Sequence, residues 1–168
     1  MFKKIAIAAA LSLIASASFA QAGPASYAGG QINSTKIDGI GGNHTGAGLF
    51  VGYQFNENFA IEAGYARLAN ADITYSGVPV NLKFNQSALS GIATMPLSNG
   101  FNVFGRLGYN RVSVKGSGNA GSASDSTSGA LYGVGVGYSF TPTIAGRVEY
   151  QKASSDSSSA VAAIVFKF

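Results

Sequence analysis

Apolar residues occupy every second position in three long segments of the chain, 49–55, 101–110 and 132–140. Because successive side chains of a strand point to opposite faces, a period of two predicts β-strands with one apolar face. Each segment is about as long as a tilted strand that crosses a membrane. The positions on this face are Leu49, Val51, Tyr53 and Phe55; Phe101, Val103, Gly105, Leu107 and Tyr109; and Tyr132, Val134, Val136, Tyr138 and Phe140.

The second face of these strands consists mostly of Gly, Ser, Asn and single charged residues. A soluble β-sandwich would bury its apolar face and would expose a charged, hydrated face. Small and polar residues opposite an apolar face are instead typical of a membrane barrel, in which lipid surrounds the wall and the narrow lumen is polar. Tyr and Phe near the strand ends are then expected to form girdles at the two membrane interfaces.

Short and long connections alternate along the chain. Short turns are predicted at 56–58, 96–100 and 141–143, and polar or glycine-rich stretches lie near 36–45, 69–80, 115–128 and 154–159. Outer-membrane barrels have short periplasmic turns and longer external loops. The pattern predicts an all-β fold, an eight-stranded antiparallel up-and-down β-barrel that spans the membrane. The stretch 115–128, low in complexity, is predicted to be a mobile external loop.

The first 20 residues have the features of an export signal. Lys3 and Lys4 precede an apolar stretch, and the small residues Ser18 and Ala20 flank Phe19. The stretch is shorter than the ~20 residues of a spanning helix, so we interpret 1–20 as a cleaved signal peptide and 21–168 as the barrel domain. Cleavage is expected after Ala20, with Ala22 as the alternative.

Composition supports one exported domain and excludes several functions. The 168 residues include 23 Gly, 11 Phe and 8 Tyr but no Cys, which rules out disulfides and a thiolate site. The formal charge of +4 falls to +2 without Lys3 and Lys4, and the remaining basic residues are scattered. A nucleic-acid partner is therefore not expected.

Several segments together resemble the transmembrane domain of the OmpA family and its small eight-stranded relatives. They are FAIEAGYARL (59–68), FGRLGYNRV (104–112), GVGVGYSFTPTIAGRVEYQ (133–151) and the terminal Phe168. The resemblance implies an integral protein of the bacterial outer membrane, in contact with lipid and lipopolysaccharide. It also implies that Ile164, Phe166 and Phe168 form a C-terminal signal for the barrel-assembly machinery. Family members with a peptidoglycan-binding domain continue beyond the barrel, so no cell-wall tether is expected here.

The resemblance further implies charged residues inside the barrel, and alternation places Glu62, Arg106, Arg147 and Glu149 there. An Arg facing lipid at mid-membrane costs about 2–4 kcal/mol, whereas a lumen offers it carboxylates and water. We expect Glu62 to pair with Arg147, since the third and seventh strands face each other. A second interior pair of the family is absent, because Ile92 and Gly137 occupy its positions.

No catalytic constellation is evident. His44, the single histidine, stands in GGNHTG and is interpreted as an exposed loop residue, and no cofactor or metal is expected. The leading hypothesis is a non-enzymatic outer-membrane protein with a structural or surface role. The alternatives are an adhesin that binds a host or surface ligand through its loops, a narrow channel and, least favoured because the chain lacks Trp, a soluble lipocalin-like carrier.

Overall fold

The computed structural model of the protein describes residues 24–37, 40–75, 78–118, 121–154 and 157–168. The predicted signal peptide and both candidate cleavage sites lie outside these ranges. Within them, no helix is long and apolar enough to cross a membrane.

Eight antiparallel strands form a closed barrel in which each strand pairs with the next and the last pairs with the first. The predicted fold is confirmed. Closure leaves no free sheet edge, so the backbone can satisfy its own hydrogen bonds within lipid. The strands are β1 (Ala25–Ile37), β2 (Ile40–Gln54), β3 (Phe59–Tyr75), β4 (Val78–Pro96), β5 (Phe101–Gly118), β6 (Gly121–Ser139), β7 (Ile144–Ser154) and β8 (Ser157–Lys167).

The two faces of the wall follow the sequence pattern. Leu49 exposes 73% of its surface to the outside, whereas its neighbour Phe50 exposes 3% and points into the lumen. Exposed aromatic rings lie at two levels, which bound an apolar band. The lower, periplasmic group is Tyr53, Phe55, Phe59, Phe101, Tyr138, Phe140 and Phe166, and the upper group is Tyr65, Tyr109, Tyr132 and Tyr150.

The short turns lie where the sequence predicts them, between β2 and β3, β4 and β5, and β6 and β7. Polar side chains stabilise two of them. The Asn56 Oδ1 atom accepts the backbone N–H groups of Asn58 and Phe59, and the Thr141 Oγ1 atom accepts those of Thr143 and Ile144. Such side chains commonly replace missing backbone partners in turns.

The prediction of long external loops is wrong. The stretch 115–128 belongs largely to β5 and β6, whose pairing continues as far as Gly118 and Gly121. The other three connections are likewise replaced by strand pairs that extend to within a few residues of each tip. The physical reason is that a ribbon outside the membrane has water on both faces. Its backbone ladder can continue without the apolar alternation that marks a strand in lipid.

Large inward side chains lie against glycines on the neighbouring strand. Tyr27 pairs with Gly52, Phe50 with Gly29 and Phe104 with Gly135. A Cβ atom added to any of these glycines would collide with the ring opposite it. The rings therefore fill the space that the missing side chains leave, a packing arrangement known to stabilise glycines in sheets.

Candidate functional site

Four charged side chains from three strands meet in the middle of the lumen. Glu62 lies on β3, Arg106 on β5, and Arg147 and Glu149 on β7. Each of the four has at least one exposed apolar neighbour, Ile61, Leu107, Val148 or Tyr150, so alternation along the strand turns all four inward. We call these residues the charge cluster.

Glu62 is the acceptor at the centre of the charge cluster. Arg147 donates to it through two nitrogens, Nη1 to Oε2 at 2.8 Å and Nη2 to Oε1 at 2.9 Å. The Nη1 atom of Arg106 lies 2.8 Å from Oε1, and the hydroxyl of Tyr27 donates to Oε2 at 3.2 Å. The structure thus joins the third and seventh strands across the lumen by a two-point ion pair.

Arg106 links the two carboxylates of the charge cluster. Besides its contact with Glu62, its Nε donates to Glu149 Oε1 at 2.6 Å and its Nη2 donates to Glu149 Oε2 at 3.1 Å. Two guanidinium groups and two carboxylates balance each other in charge. Since Glu62, Arg106 and Glu149 are all buried, loss of one partner would leave a charge without compensation in a poorly hydrated space.

Two aromatic rings hold the guanidinium group of Arg147. Its Cζ atom lies 4.2 Å from the centroid of the Phe50 ring and 5.8 Å from that of Phe104. Cations are attracted to aromatic faces at such distances. Sequence reasoning missed these rings and Tyr27. The available signal was the presence of Phe50 and Phe104 on the face that is otherwise small and polar.

The lumen is narrow on both sides of the charge cluster. Towards the periplasm lies a cavity of about 100 Å³, whose lining includes Ile92, Asn102 and Gly137. Towards the outside lies one of about 20 Å³, lined in part by Gln86 and Leu131. The first could hold several waters and the second about one. Farther out, the lumen is packed with buried Leu68, Phe84, Leu131, Asn110 and Thr35.

The interpretation of His44 as an exposed loop residue is wrong. His44 lies in β2 opposite Thr35, is partly buried, and its Nε2 atom has no hydrogen-bond partner among the described residues. The Oγ atoms of Thr35 and Ser159 are 2.8 Å apart. The hydroxyl of Thr35, which pairs with His44 across the two strands, is therefore engaged with Ser159.

The C-terminal residues lie on the closing strand of the barrel. Ile164 and Phe166 project outward from β8, which pairs with β1. The backbone N–H of Phe168 donates to the carbonyl oxygen of Ser26 at 2.9 Å, so the pairing continues to the last residue.

A sequence profile described as "Outer membrane protein beta-barrel domain" matches residues 6–164. The chain belongs to this outer-membrane β-barrel family. Membership, with the closed barrel and its apolar outer wall, places the protein in the bacterial outer membrane. It is an integral protein of that membrane, in contact with its lipids.

Curated relatives of this outer-membrane barrel support the assignment. Outer membrane protein A of Klebsiella aerogenes is 33% identical over 168 aligned residues, covering 89% of this chain and 47% of that protein. Outer membrane protein A of Escherichia coli O157:H7 is 32% identical, with 89% and 47% covered. The chain thus spans about half the length of these relatives.

Solved structures confirm the fold. Ail, the attachment invasion locus protein of Yersinia pestis, superposes with a TM-score of 0.62 at 19% identity, covering 88% of this chain and 100% of Ail. The N-terminal β-barrel domain of Pseudomonas aeruginosa OprF superposes with a TM-score of 0.59 at 14% identity, covering 84% and 97%. At such identities the likeness concerns the fold alone.

Proposed function

We propose that the protein is a non-enzymatic barrel with a structural and surface role, and that its lumen is sealed rather than conducting. The charge cluster carries this proposal. Its ion pairs span the lumen from β3 to β7 and separate two cavities of about 100 and 20 Å³. An eight-stranded barrel leaves little interior space beyond its side chains.

Recording from planar bilayers tests the sealed lumen. We expect the refolded protein to insert without a sustained conductance. A steady ohmic conductance that disappears in Arg147→Ala would identify the protein as a channel and contradict the proposal. Gly105→Ala is the matched control, because an added Cβ there has no atom within 4 Å.

The absence of enzymatic activity has its own test. Membrane-modifying barrels would change lipid A or phospholipids when they are produced in cells. Mass spectrometry of both lipid classes, with and without the protein, is expected to show identical species. A new species that His44→Ala abolishes would establish an enzyme.

Two proposals concern export and assembly. The first is that the signal peptide 1–20 is removed. N-terminal sequencing of the membrane-bound protein should begin at Gln21, and a start at Gly23 would show cleavage after Ala22.

The second proposal is that the barrel-assembly machinery recognises the C-terminal residues Ile164, Phe166 and Phe168. Phe168→Ala should then lower the folded amount in cells without slowing refolding in detergent, whereas equal losses in both would indicate a purely structural role.

A second candidate function is surface attachment through the external hairpins. The β5–β6 ladder continues nine residue pairs beyond the pair Tyr109–Ala130, so this ribbon rises well above the upper tyrosines. Ail, whose fold is similar, has been solved with a heparin analogue, sucrose octasulfate. Replacement of 115–124 by Asn-Gly would shorten the ribbon while the pair Val114–Asp125 is kept. If the shortened variant attached cells to heparin-coated surfaces as well as the unaltered protein does, this ribbon would be excluded as the attachment site.

A further inference from the structure

The strand β6 loses its neighbour on one side above the membrane. It pairs with β7 from Ser139 up to Tyr132, which lies opposite Lys152, and β7 ends soon afterwards at Ser154. The pairing of β6 with β5 continues much farther, to the last described residues of the hairpin. The wall is therefore closed through the apolar band, whereas above it the described strand pairs cover β6 on the β5 side only.

Two hydrogen bonds show which backbone groups of β6 face the uncovered side. In an antiparallel strand, alternate residues direct both N–H and C=O to the same neighbour. The N–H of Phe140, directly after β6, donates to the carbonyl oxygen of Ile144 at 3.0 Å, on the β7 side. The described pairs of β6 show no register shift, so its even-numbered residues share this direction. Accordingly, the N–H of Ser126 donates to Asp125 Oδ1 at 2.7 Å.

A side chain takes the place of β7 at the lower end of this side. Asn110 Nδ2 donates to the carbonyl oxygen of Ala153 at 2.7 Å and to that of Ala130 at 3.5 Å. Above Ala130, the backbone N–H and C=O groups that point away from β5 form what we call the open edge. They belong to Ser122, Ser124, Ser126 and Ser128. The open edge covers 122–128, about the length of an ordinary strand.

The open edge lacks the usual protection against other chains. Lysines, prolines or bulges normally protect a sheet edge, because unpaired backbone groups readily pair with another strand. The segment 121–131, GSASDSTSGAL, contains no Lys, Arg or Pro, and its described pairing with β5 is regular. By contrast, the pairing of β3 with β4 shifts register between Arg67 and Ala69. The open edge thus presents a regular row of donors and acceptors to a partner.

A symmetric dimer does not supply the partner strand. Two barrels in one membrane have the same orientation, so their two-fold axis lies along the membrane normal. Both β6 strands then run towards the periplasm, and their tilts of about 40° become opposite. The two strands cross at about 80°, twice the tilt, and cannot form a ladder.

We infer that the open edge binds an extended polypeptide segment from outside the cell, which adds a strand to the sheet beside β6. In this mode of recognition, main-chain hydrogen bonds supply affinity and side chains supply selectivity. The new strand displaces the exposed carboxylate of Asp125 from the N–H of Ser126, so a basic residue of the partner near Asp125 favours binding. The inference rests on the proposed function only in requiring that the hairpins of the barrel lie outside.

A synthetic peptide in which Thr and Val alternate around a central Lys tests the inference on the refolded protein in detergent. We expect the peptide to bind, as measured by fluorescence anisotropy, and to slow hydrogen exchange at the N–H groups of Ser124, Ser126 and Ser128. The control peptide has the same sequence but is N-methylated at two adjacent central residues. Since this change interrupts the donors on both of its edges, it should not bind.

A substitution in β6 tests the protein side of the same contact. Ser126→Pro removes a donor of the open edge, whereas the N–H groups that bond to β5 belong to odd-numbered residues and remain. We expect about tenfold weaker binding of the peptide. The matched control is Ser126→Ala, which loses the same hydroxyl contact with Arg111 but keeps the N–H, so its affinity should be unchanged. Electrophoretic mobility checks folding, and the methylated peptide serves as the test if Ser126→Pro does not fold.

Four results would overturn the inference. They are no binding of the unmethylated peptide, equal binding of the methylated one, equal binding by folded Ser126→Pro, and slower exchange at the open edge when the barrel alone is concentrated. The last result would assign the open edge to a second copy of the chain. A barrel that conducts yet binds the peptide would end the proposed function alone, and a sealed barrel indifferent to the peptide would end this inference alone.

Discussion

The two faces of the barrel wall differ in the charge that they carry at the same depth of the membrane. Arg106 exposes 8% of its surface and lies in the charge cluster, whereas Leu107, the next residue, exposes 69% and faces lipid. Ile61 and Val148 stand in the same relation to Glu62 and Glu149. The comparison teaches that alternation along the strand, rather than depth, decides whether a charge is tolerated in the membrane.

The largest expected effect comes from removing a charge on the inner face. Arg106→Ala deprives Glu149 of its described ion-pair partner and Glu62 of one of two, so we expect a loss of about 3–5 kcal/mol in the free energy of unfolding. Urea unfolding in phosphatidylcholine vesicles, followed by electrophoretic mobility, measures it. The matched control is Arg111→Ala, an outward residue of the same strand, where a loss within about 0.5 kcal/mol is expected.

A second substitution within the charge cluster tests whether the unpaired carboxylate causes the loss of stability in Arg106→Ala. Arg106→Ala with Glu149→Ala should recover part of the stability, because the second change removes the carboxylate left alone. If Arg106→Ala proved as stable as Arg111→Ala, the inner face would tolerate unpaired charge and the comparison would fail.

A smaller loss is expected when a charge is placed on the outer face. Val136 lies on β6, midway between Tyr132 and Phe140, the residue that follows the strand, so Val136→Arg should cost about 2–4 kcal/mol in the same assay. Ser126→Arg puts the same side chain on the same face beyond the apolar band, where about 0–1 kcal/mol is expected. Equal costs at the two positions would show that the band does not lie where the exposed aromatic rings indicate.

The smallest of the three effects concerns the volume of inward positions. A Cβ atom at Gly52 would collide with the Tyr27 ring, so Gly52→Ala should cost about 1–3 kcal/mol. Gly105→Ala, with no atom within 4 Å of its Cβ, should cost nothing. Addition of Tyr27→Leu should remove most of the penalty at Gly52. A Gly52→Ala barrel as stable as the unaltered protein would rule out tight packing against the ring.

The sequence predicts the parts of the structure that depend on local pattern. Alternation from Tyr132 to Phe140 gives the strand and its lipid face, and Asn56 and Thr141 mark turns because their side chains replace backbone partners. Alternation also gives the inward direction of Arg106. It does not give the partner, since Arg106 contacts both Glu62 and Glu149, which lie on different strands and at different distances along the chain.

Other features leave no periodic trace in the sequence. The external parts of β5 and β6 are rich in Ser and Gly because water covers both faces, and they therefore resemble a loop until their backbone pairing is seen. His44 lies in β2 within a segment of small and polar residues, so the sequence carries no alternation that would indicate its strand or its partial burial. The sequence does not predict the contact of Tyr27 with Glu62, because this contact depends on the curvature that brings β1 near β3.

The fit of rings against glycines also constrains how the strands align during assembly. A shift of β1 against β2 by one residue would exchange the two faces and is excluded by hydrophobicity alone. A shift by two residues preserves the faces, but it would set Tyr27 opposite either Phe50 or Gln54 instead of Gly52. Alternating hydrophobicity cannot distinguish these alignments, whereas the volumes inside the lumen can. The glycines thus select one register among the alignments that keep the apolar face towards lipid.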